Sequence, residues 1–308
     1  MSTAIIATNN LFGHYSSLLI EHFREERVSS SFPRKLEYDN IYSLVGEEDT
    51  TLVIIGFPYY KSQRAALEDT INELALVGNP FTEVTYISTW GDEIDIEGVH
   101  HIFKEGVPLT NLVADYLTRG TEMINPVDLN VGGKKLVKYL EEYHNYEFLH
   151  HKASAPLSLK LLSEVYGQDV SHAVKLTDTD IHFDPVIRDA LYRNMESYIR
   201  DKLDKVETKA VNGKVVLLVY AEEHHNEIAH KLIDAYSASG FKDVIVLIGK
   251  QTRGDDMFHI RVSSDLDAGK IAKAINNGKG NEHAATVFLG KPRAFVMNSI
   301  EEQLSNYL

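Results

Sequence analysis

The feature that most restricts this chain is the alternation, over its first two-thirds, of short β-branched runs with longer amphipathic stretches. Thr3 to Ala7, Thr51 to Ile55 and Glu83 to Ser88 each read as a short strand. Tyr15 to Arg24 and Gln63 to Leu76 read as helices, the second with Leu67, Ile71 and Leu74 on one face. Further helices are expected over Leu109 to Thr118, Lys134 to Tyr143 and Leu157 to Val165. Strands separated by helices of this length cannot pair as hairpins, so the pattern calls for a mostly parallel sheet with crossover helices on its faces.

Asp184-Pro185 is a helix-start signal, with Asp as N-cap and Pro at the first helical position. The segment to about Lys205 carries Ile187, Leu191, Met195, Tyr198 and Ile199 along one side and reads as a linking helix. Beyond it the signature restarts: strands over Lys214 to Tyr220, Asp243 to Ile248, Met257 to Val262 and Ala285 to Leu289. Helices are expected over Asn226 to Tyr236, over Ala268 to Asn277 and from about Asn298. The expected architecture is therefore α/β: a parallel-sheet domain over residues 1–183, a linking helix over 184–205 and a smaller α/β domain over 206–308. A chain of 308 residues is long enough to bury two such cores.

Composition narrows the function. The longest apolar run, Val215 to Ala221, is far short of the ~18 residues of a membrane span. The first residues lack a basic region followed by an apolar core, so no secretory signal is expected. With 0 Cys, thiolate metal sites and a cysteine nucleophile are excluded, and a cytoplasmic location is natural. The formal net charge of -14 argues against broad nucleic-acid binding. That charge is uneven: from Lys205 onward 13 basic residues balance 13 acidic ones, so the whole deficit is N-terminal.

Residues Phe258-His259-Ile260-Arg261-Val262-Ser263-Ser264 end a strand, and Gly278-Lys279-Gly280-Asn281-Glu282-His283-Ala284-Ala285-Thr286 form a Gly-rich loop after the next helix. Together they resemble the substrate-binding domain associated with the DHH phosphoesterases. There a strand ending in Arg-Ser precedes a helix, and a Gly-rich loop ends in Gly-His-Pro-x-Ala-Ala-Gly. Arg261 and Ala284-Ala285 fit. Asn281 stands for the family's loop His, Glu282 for its Pro and Thr286 for its last Gly, and His283 is one frame off. The resemblance makes Arg261, Gly278, Gly280, Asn281 and His283 the candidate substrate-binding residues.

The N-terminal half follows the same family in order. Thr8-Asn9-Asn10-Leu11-Phe12-Gly13 resembles the first motif, His-Asn-Asp-x-Asp-Gly, with Thr8, Asn10 and Phe12 at the three metal-ligand positions. The second motif's Asp falls at Gly56-Phe57, and Asp-His-His falls near Ser88-Thr89-Trp90. Tyr143-His144-Asn145-Tyr146-Glu147-Phe148 resembles a later stretch of the oligoribonuclease branch, with His144 at the metal Asp. The resemblance implies a two-manganese phosphoesterase fold. That chemistry needs several carboxylates and imidazoles on ions ~3.5–4 Å apart, and Thr8, Asn10, Phe12, Gly56 and Trp90 supply none.

The resemblance therefore implies a catalytically silent protein without cofactor, binding a nucleotide, a short oligonucleotide or a protein partner. The alternative is a divergent manganese phosphodiesterase with relocated ligands, for which His14, Asp92 or His144 would serve. A third reading is an interaction module with a homodimeric arrangement. The pairs His100-His101, His150-His151 and His224-His225 read as surface or loop histidines, because neighbours diverge on strand or helix. Asp92, Glu93, Asp95 and Glu97 read as a solvated acidic loop. Lys270, Lys273, Lys279, Lys291 and Arg293, with Arg261, are either a phosphate surface or spaced surface charges.

Overall fold

The computed structural model describes residues 2–24, 27–37, 41, 51–76, 83–121, 125–145, 154–252, 255–263, 265–290 and 293–305, with backbone alone for 73–76 and 293–294. The chain divides into two compact units, Met1–Tyr192 and Arg193–Leu308.

The first unit runs β1 (Ser2–Ala7), α1 (Leu11–Phe23), β2 (Arg27–Ser31), β3 (Thr51–Ile55), α2 (Arg64–Leu76), β4 (Glu83–Ser88) and β5 (Val99–Phe103). There follow α3 (Leu109–Arg119), α4 (Val131–His144), α5 (Ala155–Tyr166) and a small hairpin of β6 (Val174–Leu176) and β7 (Ile181–Phe183). The five main strands lie in the order β2-β1-β3-β4-β5, all parallel. The chain leaves β1 for one side and resumes at β3 on the other. The carboxyl ends of β1 and β3 thus flank a topological switch point, where open α/β sheets take their ligands.

β1 and β3 are buried at every position because both faces are covered. Strand alternation sorts their side chains. Ile5, Ala7, Val53, Ile55 and Ile87 pack with Tyr15, Leu19, Val113, Tyr116, Leu136 and Leu162 from α1, α3, α4 and α5. Ala4, Ile6, Leu52, Ile54, Val84 and Tyr86 pack on the other face with Leu67 of α2. The helix starts are capped: Asn10 Oδ1 accepts from Gly13 N–H at 2.9 Å and Asn130 Oδ1 from Gly133 N–H at 2.8 Å. The expected linking helix is α6 (Pro185–Leu203), and Asp184 Oδ1 accepts from the N–H groups of Val186 and Ile187 at 2.9 and 3.0 Å.

The second unit continues with β8 (Glu207–Val211), β9 (Lys214–Tyr220), α7 (His225–Ala238), β10 (Val244–Lys250) and β11 (Asp256–Val262). It ends with α8 (Ala268–Asn276), β12 (Lys279–Gly280), β13 (Ala284–Leu289) and α9 (Arg293–Ser305). The sheet order is β12-β13-β11-β10-β9-β8, with β9 and β10 parallel and the other pairs antiparallel. Val216, Leu218, Ile245, Leu247, Phe258, Ile260, Ala285 and Val287 form the face that packs on α8 and α9. Helix α7 packs against β10 and β11, with Ile228, Ala229 and Leu232 buried. Among the described residues no helix is long and apolar enough to cross a membrane.

The α/β class and the inner strands match the expectation. The edge strands β2, β5, β8 and β12 and the β6–β7 hairpin were not expected. Edge strands are half-covered, so they show no continuous apolar run, as Arg27-Val28-Ser29-Ser30-Ser31 illustrates. The last helix starts at Arg293, ahead of the expected Asn298. Leu247 is fully buried at the centre of the second sheet. Leu247→Ala should lower the stability of that unit by about 2–5 kcal/mol, read as a smaller urea midpoint with circular dichroism.

Candidate functional site

The parallel ladder of the first unit runs one step past its strands: Thr8 N–H donates to Ile55 O at 3.0 Å and Gly56 N–H to Ile87 O at 2.8 Å. Thr8, Gly56 and Ser88 are thereby set side by side at the switch-point edge. Glycine is required twice here. A Cβ on Gly13 would lie 1.9 Å from Thr8 O, and one on Gly56, at φ +81°, would lie 2.6 Å from Thr8 Oγ1 and 2.8 Å from Leu109 Cδ2. The starts of α1 and α3 close on Thr8 for this reason.

Most residues at the expected metal-ligand positions have another task or no donor. Asn10 Oδ1 caps α1. Phe12 stands edge-on to His144 at 5.8 Å between ring centroids and tilted to Tyr143 at 6.5 Å. Ser88 Oγ lies 3.0 Å from His101 Nε2, while His101 Nδ1 accepts from Ile94 N–H at 2.9 Å. The backbone donor fixes the tautomer, so Nε2 carries the proton and donates to Ser88. Burial, with a smaller effect from His100, pulls the His101 pKa down from 6.5 to about 4. Thr89 is half-exposed and Trp90 is 52% exposed.

Two of the expected replacements, His14 and Asp92, are engaged as well. His14 is buried, with Nδ1 2.8 Å from Ser163 Oγ and Nε2 2.8 Å from Asn9 Oδ1. Nε2 donates to the amide oxygen and Nδ1 accepts from the serine hydroxyl, a neutral ring in keeping with a pKa lowered by burial. Asp92 Oδ2 accepts from Lys61 N–H at 2.8 Å. A two-manganese centre asks for several converging carboxylates and imidazoles. Here the edge offers neutral hydroxyl and amide oxygens, a phenyl ring and a glycine, so the residues present do not fit that centre. Among the described residues no group of three or more His, Cys, Asp or Glu is placed to hold a metal ion.

In the second unit the five candidate residues divide. Gly278, Gly280 and Asn281 line a hollow of about 420 Å³ with Lys270, Lys273 and Lys279, opposed by Asp267 and Glu282. Much of the loop's hydrogen bonding turns inward. The N–H groups that open α8, those of Ala268, Gly269 and Lys270, donate to Glu282 O, Asn281 O and Asp267 Oδ1 at 2.9, 2.7 and 2.9 Å. Asn281 Oδ1 accepts from the N–H groups of His283 and Ala284. A Cβ on Gly280 would lie 2.3 Å from both Ala284 O and Ala285 Cα. The glycine serves close packing of loop on strand. His283 is exposed, 3.2 Å from the Glu282 carboxylate.

Arg261 stands on the other face of β11. Its ladder partner is Ala284, whereas the neighbouring pair Ile260 and Ala285 belongs to the core under α8. Arg261 Nη2 donates to Asn226 Oδ1 at 2.7 Å and Nη1 to its neighbour's carbonyl, Ile260 O, at 2.8 Å. Its Nε is buried with no partner among the described residues. Beside it the rings of His225 and His259 stack at 4.4 Å. His225 Nε2 donates to Ala221 O at 3.0 Å. Burial first, then the charges of His225, Arg261 and Lys250, take the His259 pKa down to about 4.

Sequence reasoning missed this cluster, although His259-x-Arg261 on a strand already places both side chains on one face. Of the pairs read as surface or loop histidines, His100 is exposed and His224, at φ 56°, lies in the loop that opens α7, whereas His101 faces inward, held between Ile94 N–H and Ser88. Tyr146, Glu147, Phe148, His150, His151, Ser264 and Lys291 lie outside the described residues, as do the side chains of Leu74 and Arg293.

No protein-family model matches the chain, and no curated protein matches it in sequence. Solved structures do match. The DHH domain of a member of a family of ribosomal proteins aligns over 99% of this chain and 86% of its own, at 13% identity and TM-score 0.52. The pGpG-specific phosphodiesterase PggH of Vibrio cholerae aligns over 100% and 98%, at 11% identity and TM-score 0.57. The chain has a DHH-type fold. At these identities the likeness is one of fold. On this fold the switch-point edge carries Thr8, Asn10, Phe12 and Gly56.

Two results should follow. The unfolded chain protonates His101 near pH 6.5 but the fold only near pH 4, so the unfolded state binds more protons in between. Stability present above pH 6.5 should fall as the pH drops towards 4, and His101→Gln should reduce that slope in urea unfolding of the first unit. Gly280→Ala should destabilise the second unit by about 1–3 kcal/mol through overpacking, measured by thermal unfolding.

Proposed function

We propose that this DHH-type protein binds a phosphate-bearing ligand, a nucleotide or short oligonucleotide, without metal-dependent hydrolysis. The observation that carries the reading is the switch-point edge. Asn10 is spent on a helix cap, Phe12 packs on His144, Gly56 serves close approach and Ser88 is held by His101. Neutral oxygens of this kind neither assemble two divalent cations nor lower the pKa of a bridging water.

The ligand class rests on Arg261. A guanidinium forks onto phosphate oxygens, and this one has an unpartnered buried Nε among the described residues. Its neighbours His225 and His259 have lowered pKa values and add no charge at neutral pH. The net charge of -14 disfavours extended polyanions, so a small ligand held at a local cation suits the molecule better than duplex or long single strands. PggH acts on pGpG, so a chain of this fold recognises a dinucleotide. We place the protein in the cytoplasm, which a chain with 0 Cys suits.

The test pairs turnover with binding. The full chain, incubated with Mn²⁺ and di- or short oligoribonucleotides, should leave the substrates intact, while calorimetry should detect nucleotide binding that Arg261→Ala weakens by about 10- to 100-fold. Turnover that His14→Ala or His144→Ala abolishes would overturn the reading in favour of a divergent phosphodiesterase. Nucleotide binding at background in wild type and Arg261→Ala alike would overturn it in favour of a protein-partner or homodimer module.

A further inference from the structure

We propose that Phe288, on the open face of the second unit's sheet, seats a nucleobase of a dinucleotide whose 5′-phosphate is held by Arg261. The proposal deepens the nucleotide-binding reading and rests on it.

The antiparallel ladder of β11 and β13 fixes which side chains share that face. Met257 stands opposite Phe288, His259 opposite Thr286 and Arg261 opposite Ala284. The residues between them, Phe258, Ile260, Ala285 and Val287, are buried in the core under α8 and α9. Strand alternation therefore puts the three facing pairs together on the other side of the sheet. Helix α7 packs on β10 and β11, and the β13 end of that side stays open. Phe288 is 50% exposed, although it lies in the middle of a paired stretch of strand.

The order of groups along the face selects the occupant. At one end the Phe288 ring stands beside the thioether of Met257 on the neighbouring strand. Four residues along the ladder, about 14 Å at the rise of an antiparallel strand, stands Arg261, whose Nε is buried without a partner among the described residues. Midway lie Thr286 and His259, whose side chains have no hydrogen-bond partner among the described residues. The His259 ring is steadied by stacking on His225. The face thus offers an apolar ring, then neutral hydrogen-bonding groups, then a guanidinium.

A single nucleotide joins base to phosphate through one sugar and falls short of that span. A dinucleotide reaches across it, with its 5′-phosphate on Arg261, its sugars and diester along His259 and Thr286, and its second base on Phe288. Aromatic side chains on an open sheet face are a recurring means of stacking unpaired bases. A phenyl ring with two rotatable bonds loses little conformational entropy on binding. A protein partner would need roughly 800 Å² of complementary surface, which one ring and one thioether flanked by polar groups do not supply.

Calorimetry on the full chain, with 5′-phosphorylated diadenylate and with adenosine monophosphate as the shorter probe, tests the assignment. The unaltered chain should bind the dinucleotide more tightly. Phe288→Ala should weaken dinucleotide affinity by about 5- to 150-fold and leave the mononucleotide unchanged. Phe288→Leu, which keeps an apolar side chain without the ring, should match Phe288→Ala, and Phe288→Tyr should restore most of the affinity. Dinucleotide affinity unchanged in Phe288→Ala but lost in Arg261→Ala would overturn the base site while the nucleotide-binding reading stands. Absence of nucleotide binding to the unaltered chain would overturn both. A sedimentation change in Phe288→Ala with dinucleotide affinity intact would overturn the base site in favour of self-association.

Discussion

The first unit depends on the ladder step that carries Thr8 onto Ile55 and Gly56 onto Ile87. Those two backbone hydrogen bonds decide where the sheet ends and hold three chain segments side by side. Everything at the edge then adapts to Thr8. Gly13 and Gly56 lack the Cβ that would collide with it, α1 starts directly beyond it under an Asn10 cap, and Leu109 brings α3 against the same spot. A parallel sheet with a switch point always brings loops together at one edge; the residues at that edge decide its chemistry. Here they are neutral, and their polar atoms serve caps and ring contacts.

The two units treat charge differently. The acidic excess lies in the first two-thirds of the chain, yet the edge at the β1–β3 switch point is built from Thr, Asn, Gly and Phe. The second unit is charge-balanced and holds a guanidinium beside two histidines whose burial keeps them neutral. A guanidinium beside neutral rings gives a local anion preference without a long-range attraction for polyanions. That combination favours a small phosphate-bearing ligand over a nucleic-acid lattice.

The inner strands β1, β3, β4, β9, β10 and β11 were legible in the sequence because strands covered on both faces must be apolar throughout or alternate cleanly. The edges were not, since half-exposed strands such as β2 and β5 mix Ser, His and Arg with a few apolar residues. β8 was legible but overlooked: Asn212-Gly213, both at positive φ, form the two-residue turn of a β8–β9 hairpin. At the site, the order of strand-end positions was legible and the tasks of their side chains were not. Asn10 ahead of Leu11 was a readable cap signal that went unused, whereas nothing in the sequence tells that His101 holds Ser88. The family pattern grouped Arg261 with Gly278, Gly280 and Asn281. Strand alternation instead separates them, since Ile260 and Ala285 take the core face and leave Arg261 the other.

The central claim is that the switch-point edge has exchanged metal chemistry for neutral contacts. Titrating the full chain with Mn²⁺ at neutral pH, with free ion counted by solution electron paramagnetic resonance, tests it most directly. The account predicts a free-ion signal that tracks total Mn²⁺ from the first addition. Two equivalents of tightly bound, spin-coupled Mn²⁺, released by substitution of His14 or His144, would contradict it.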